Sequence, residues 1–152
     1  MDLIGYSDAD WASSYDRKST SGCVYKFGYT NGAISWRSTK QYTVALSSCE
    51  AEYIALAEAV KEAIYPRRLL SDLGLQPKCV RLYCENNGII ALAHNPIHKQ
   101  QSKHIDIRYH FLRDYFRSGE GLLVHIPSEN NVADILTKAL GKVKFLLHFQ
   151  TG

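Results

Sequence analysis

Four carboxylates, Asp8, Glu52, Glu85 and Asp134, stand where an apolar run ends or a helical pattern begins. Asp8 follows Leu3-Ile4-Gly5-Tyr6, which reads as a buried strand that stops at the acid. Glu85 closes the strand-like run Cys79-Val80-Arg81-Leu82-Tyr83-Cys84. Glu52 falls in the first turn or so of a helix, and Asp134 falls in a last helix capped by Asn130 or Asn131. An acid at the end of a central strand can hold a divalent metal at a sheet edge. Oxygen-rich sites suit Mg²⁺, which keeps several waters and takes a few carboxylates plus substrate phosphate. The expectation is that all four acids meet around Asp8. Asp8 alone would read as a turn residue. The other three favour a shared site.

The elements that must position these acids follow in chain order. Ser13 to Ser19 is a polar loop, Thr20 to Gly28 a second strand, and Thr30-Asn31-Gly32 a hairpin turn. Ala33 to Arg37 returns as a third strand, so the front of the chain is an antiparallel meander. Ser47 and Glu50 have the capping-box spacing of a helix start. Ala51, Ala55, Ala59 and Ala63 then make a small-residue row that lets the helix press on a sheet. Pro66 should kink or break that helix near Tyr65. Cys79–Cys84 is a fourth strand and Ile89–His94 a short helix stopped by Asn95-Pro96. Ile105, Tyr109, Leu112 and Phe116 mark an amphipathic helix from Lys103 to Arg117. Leu122 to Ile126 is a fifth strand, and the last helix runs to about Leu140. The fate of the basic and apolar tail from Gly141 is left open. The order β-β-β-α-β-α-α-β-α predicts an α/β fold: a mixed five-stranded sheet, three strands antiparallel and two parallel by crossover, flanked by helices.

The 152 residues suit one domain over 1–152, with a core of about 3–140 and a tail of 141–152. Hydrophobic residues make up 45% and charged residues 22%, ordinary values for a soluble globular chain. No apolar run approaches the ~20 residues of a membrane span, and the start lacks the pattern of a signal peptide. The net charge of +3 permits nucleic-acid binding without arguing for it. Cys23, Cys49, Cys79 and Cys84 form no C-x-x-C pair or zinc pattern and read as reduced core residues.

The chain resembles the ribonuclease H domain of copia-type LTR retrotransposons, which follows the reverse transcriptase in their polyprotein. The resemblance rests on Tyr6-Ser7-Asp8-Ala9-Asp10-Trp11-Ala12, Asp16-Arg17-Lys18-Ser19-Thr20-Ser21-Gly22, Ile34-Ser35-Trp36 with Lys40-Gln41, and Leu46-Ser47-Ser48 before Glu50-Ala51-Glu52-Tyr53. It continues in Lys103-His104-Ile105-Asp106-Ile107, Tyr109-His110-Phe111 and Asn131 to Lys138. The resemblance implies a ribonuclease H-like fold and catalytic, metal-holding acids at Asp8, Glu52, the position of Glu85, and Asp134. It also implies two Mg²⁺ ions (Mn²⁺ can substitute), action during reverse transcription, and a cytoplasmic virus-like particle as the setting.

Hydrolysis of a phosphodiester needs an activated water, a stabilised leaving oxygen and neutralised charge, which two metals ~3.5–4 Å apart supply. Asp8 is expected to bridge them, Glu52 and Glu85 to hold the metal on the water side, and Asp134 the other. The resemblance implies an RNA–DNA hybrid as substrate, cut in its RNA strand, whose 2′-OH groups line a shallow minor groove. Candidate donors to it are Arg17, Lys18, Ser19, Arg37, Lys40 and Gln41, with Lys99, Lys103 and His104 at a helix start that favours phosphate. Tethering to the reverse transcriptase domain raises the effective concentration. The isolated domain is expected to be monomeric and away from membranes. His125 falls within a strand and reads as an ordinary strand residue. Asp10 and Asp16 read as turn residues. The family pattern has Asp where this chain has Glu85, and a displacement near 1 Å can cost roughly 10²-fold in rate. The alternative is therefore a weakened or inactive hybrid-binding remnant. A third reading, an integrase or 3′ exonuclease on the same fold, differs in its products.

Overall fold

The structure, a computed structural model, describes residues 2–28, 30, 32–94 and 103–151, and side chains are described except at 103–106 and 149–151. Strands β1 (Leu3–Asp10), β2 (Thr20–Phe27) and β3 (Ala33–Lys40) precede the long helix α1 (Ser48–Asp72). Then come β4 (Val80–Cys84), α2 (Asn87–His94), α3 (Lys103–Arg117) and β5 (Gly121–His125). Two short 3-10 segments, Ser128–Asn130 and Val132–Leu136, lead to a final helix α4 (Lys142–Thr151). The sheet order is β3-β2-β1-β4-β5. β1 pairs antiparallel with β2 and parallel with β4, and β4 pairs parallel with β5. The α/β fold with a mixed five-stranded sheet is therefore the one expected.

Side chains alternate across the sheet, and the two faces have different cover. Leu3, Cys23, Tyr25, Val80, Leu82 and Leu123 point into one core with α1, α2 and α3. The alanine row makes this contact close: Ala51, Ala55, Ala59 and Ala63 are essentially inaccessible, and Tyr25 Oη donates to the Ala59 carbonyl. The other face carries Tyr6 stacked on Tyr83, with the Lys26 ammonium over the Tyr6 ring. That face is covered partly by the 132–136 segment and α4.

Several local expectations need correction. α1 runs through Pro66 instead of breaking near Tyr65. Pro66 is buried in register with Ala63 and Leu70, and that packing offsets the ~3 kcal/mol cost of proline in a helix interior. Ser47 caps α1 as expected, its Oγ accepting from Glu50 N, but the Glu50 carboxylate reaches back to Leu46 N rather than to the cap residue. Asp134 lies in the 3-10 segment Val132–Leu136, not in an α-helix running to Leu140. Asn131 Oδ1 accepts from Ala133 N and starts this turn, which then lies flat on β1 and β2. The tail forms α4. β3 reaches three residues further than expected, to Lys40. Asn31 of the hairpin turn and Asn95-Pro96 lie outside the described residues.

Candidate active site

The C-terminal end of β1 gathers the acids. Parallel pairing with β4 stops at Tyr6–Tyr83, while antiparallel pairing with β2 continues to Asp10–Thr20. Asp8 therefore does not end its strand; it projects from the stretch of β1 that β4 no longer flanks. Glu85 follows the last residue of β4 on the same sheet end. The 132–136 segment brings Asp134 over this edge. Asp8, Glu85 and Asp134 each place one carboxylate oxygen within 4.8 Å of the other two. Asp8 and Asp134 are buried, and Glu85 is half-buried.

A missing side chain makes that approach possible. Gly22 pairs with Asp8 across β1 and β2. A Cβ built there would stand 2.7 Å from Thr137 Cγ2 and 3.1 Å from the Ala133 carbonyl oxygen. Only glycine lets the Asp134 turn lie this close to the strand. Asn131 then ties three pieces together, its Nδ2 donating to the Ser7 carbonyl at 3.1 Å and to Glu85 Oε1 at 3.0 Å. Thr137 Oγ1 donates to Asp8 Oδ2.

The acids differ in charge state because their neighbours differ. Burial pushes Asp8 up to about 7; the Asp134 charge adds to the rise, and Thr137 and Lys138 oppose it. Burial also acts on Asp134, but Lys144 and Lys138 outweigh it and hold this carboxyl below its ordinary range. Lys138 Nζ lies 2.9 Å from Asp134 Oδ1 and 3.9 Å from Asp8 Oδ2, and Lys144 Nζ contacts Asp134 Oδ2. Glu52 stands outside the set of three. Burial raises its carboxyl; Asn86 opposes with a hydrogen bond, and Glu85 adds repulsion. Glu52 thus faces the Glu85 side of the cluster.

The expected substrate donors divide. Arg17, Lys18 and Lys40 sit at the sheet end that carries Asp8, with Lys40 Nζ 2.7 Å from Asp16 Oδ2. Arg37 instead pairs with Glu62 of α1 at 3.0 Å. Ser19 and Gln41, also expected as donors, are buried. Ser19 Oγ accepts from Ala12 N, and Gln41 Nε2 donates to Ser21 Oγ and to the Ala51 carbonyl, fastening α1 to the sheet. Lys99 lies outside the described residues. Lys103 and His104 open α3, and their side chains lie outside the description. His125 is exposed at the end of β5, paired with Cys84. Thr137 and Lys144 were not anticipated as site residues. The spacing of Thr137 and Lys138 three and four residues after Asp134 was the available signal.

No protein-family model matches the chain. It is 44% identical over 146 residues to the retrovirus-related Pol polyprotein from transposon TNT 1-94 of Nicotiana tabacum, covering 95% of this chain and 11% of that polyprotein. It is 40% identical over 149 residues to the corresponding polyprotein from transposon RE2 of Arabidopsis thaliana, covering 95% and 10%. The chain thus spans about a tenth of the length of the curated relatives it matches. Among solved structures, it resembles LC11-RNase H1 in complex with an RNA/DNA hybrid, with a TM-score of 0.65 and 18% identity over 89% of this chain and 93% of that one. Such a likeness speaks to the fold. Along nearly all its length the chain is therefore similar to a segment of the retrovirus-related Pol polyproteins of transposons, and it has the ribonuclease H fold.

Proposed function

We propose that this chain is an endonuclease that hydrolyses the RNA strand of RNA–DNA hybrids during retrotransposon reverse transcription. The observation that carries the reading is the meeting of Asp8, Glu85 and Asp134, far apart in sequence, within 4.8 Å. Three carboxylate oxygens at that spacing form the hard donor set that Mg²⁺ or Mn²⁺ takes. Asp8, Glu85 and Asp134 would hold the ions, with Glu52 completing the set on the Glu85 side. Bound there, two ions supply a nucleophilic water and neutralise phosphate charge.

The chain's own residues do the rest. Asn131 holds Glu85 in place, so the longer glutamate side chain still reaches the cluster. This favours activity over a catalytically silent remnant. Thr137 fixes the orientation of Asp8 by donating to one of its oxygens. Arg17, Lys18 and Lys40, at the same sheet end, would contact phosphates, which positions the duplex without reading its sequence. The relatives are polyproteins, and tethering to their reverse transcriptase would offset modest intrinsic affinity.

The test is a hybrid labelled in its RNA strand, incubated with Mg²⁺ and separately with Mn²⁺. Internal cuts in the RNA, lost in Asp8→Asn, are expected. Release of single nucleotides from ends would indicate an exonuclease, and an intact hybrid under both metals would overturn the proposal.

A further inference from the structure

Two lysines, not one, lie on the acid cluster, and they come from different places. Lys138 is local, four residues after Asp134 and in the same turn. Lys144 comes from α4, a separate helix beyond a break at 139–141. Its ammonium contacts Asp134 Oδ2, on a carboxylate with no exposed side-chain surface. A cationic group thus stands on a carboxylate of the candidate metal site.

α4 follows the acid cluster as a helix of ten residues. Its main packing partner is the 132–136 segment. His148 is the buried residue among its described side chains and lines a cavity of about 370 Å³ with Val24, Trp36, Val132 and Leu136. Val143, Leu146 and Leu147 remain exposed on the same helix. A short helix that leaves apolar side chains in water is at the low-stability end of a fold.

We propose that α4 is a tethered plug for the metal site: Lys144 occupies the cation position at Asp134, and a divalent ion loads by displacing it. This inference rests on the reading of the acid cluster as a metal site. The exchange is one of charge alone. The ammonium leaves Asp134 Oδ2 and swings to solvent, which it already meets along part of its length, while the ion takes the oxygen. No bond is made or broken in the chain. Since a ligand must act against whatever holds the competing state, metal affinity is reduced by the fraction of time the plug is seated.

The experiment measures Mn²⁺ affinity by calorimetry for the wild-type chain, Lys144→Met and Lys142→Met. Lys142 is exposed on the same helix and gives the same change in net charge. Tightening by about tenfold in Lys144→Met, equivalent to ~1.4 kcal/mol, with Lys142→Met near wild type, is the expected result. Equal affinities in all three, or equal tightening in both variants, would overturn the plug and leave the metal site standing. Absence of Mn²⁺ binding in every protein would instead remove the metal-site reading beneath it. Hydrogen exchange on the wild-type chain gives a second readout that needs no variant. Amides of residues 142–151 should exchange faster with Mn²⁺ than with EDTA, and slower or unchanged exchange counts against displacement.

Discussion

Asn131 donates its side-chain amide to Glu85 Oε1 at 3.0 Å, and the same nitrogen reaches the carbonyl of Ser7 beside Asp8. One buried amide thereby sets the distance between the end of β4 and the end of β1. The Asn131→Leu variant keeps the branching at Cγ and leaves both acceptors without their donor. Loss of buried hydrogen bonds, one of them to a charged group, costs about 2–4 kcal/mol. The expected result is a lower urea midpoint at unchanged slope, together with weaker Mn²⁺ binding.

Gly22 offers a test of how the site is spaced. A methyl at this position meets the Ala133 backbone oxygen and Thr137 Cγ2. The Gly22→Ala variant must push the Asp134 turn outward, at a cost of about 1–3 kcal/mol for overpacking. Hydrogen exchange should quicken across 132–137 while the α1 core keeps its protection. A variant as stable as wild type, with unaltered metal affinity, would show that the close approach is not needed.

Asp8 predicts a pH dependence of the metal-free protein. An unfolded aspartate ionises near 4, whereas burial lifts Asp8 in the fold to about 7. Between those values the folded chain keeps a proton that the unfolded chain has released. Stability is therefore full at the acid end of this window and falls as pH climbs toward 7, by on the order of 4 kcal/mol. The depressed Asp134 carboxyl acts oppositely, but in a range below its ordinary value. Melting temperatures in EDTA should decline from pH 4.5 to 7.5, and Asp8→Asn should flatten that decline. Added Mn²⁺ should stabilise more at pH 7.5 than at 5, since the ion competes with the proton.

The cysteines should separate by reactivity. Burial pushes the Cys23 and Cys84 thiols up to about 12, so almost no thiolate is present at pH 8. Iodoacetamide on the native protein, followed by peptide mapping, should mark Cys79 and spare Cys23 and Cys84 until denaturant is added. All four are free. Equal labelling of Cys23 and Cys79 would show that β2 opens readily.

Much of this architecture is legible in the residues because it is local. The run before Asp8, the Ser47 cap and the four-residue alanine spacing each act within one element, and each appears where the pattern indicates. What escaped the sequence depends on tertiary placement. Pro66 looks like a breaker until the core on which it packs exists. Gln41 looks like a surface donor until Ser21 and the Ala51 carbonyl surround its amide. Asp134 follows a helical pattern, yet the sheet beneath Gly22 leaves room for a tighter turn. Lys144 lies in a tail with no clear period, and nothing local ties it to an acid ten residues earlier.

The sheet order places β1, the first strand in the chain, between β2 and β4. During translation its hairpin partner emerges at once, but the neighbour on its other side is made only after all of α1 has left the ribosome. Until then one edge of the central strand is bare, the kind of surface that recruits stray strands. Ribosome pausing within α1 should therefore be the step most prone to aggregation, and slow synthesis there would lower the yield of native protein more than slow synthesis after β5.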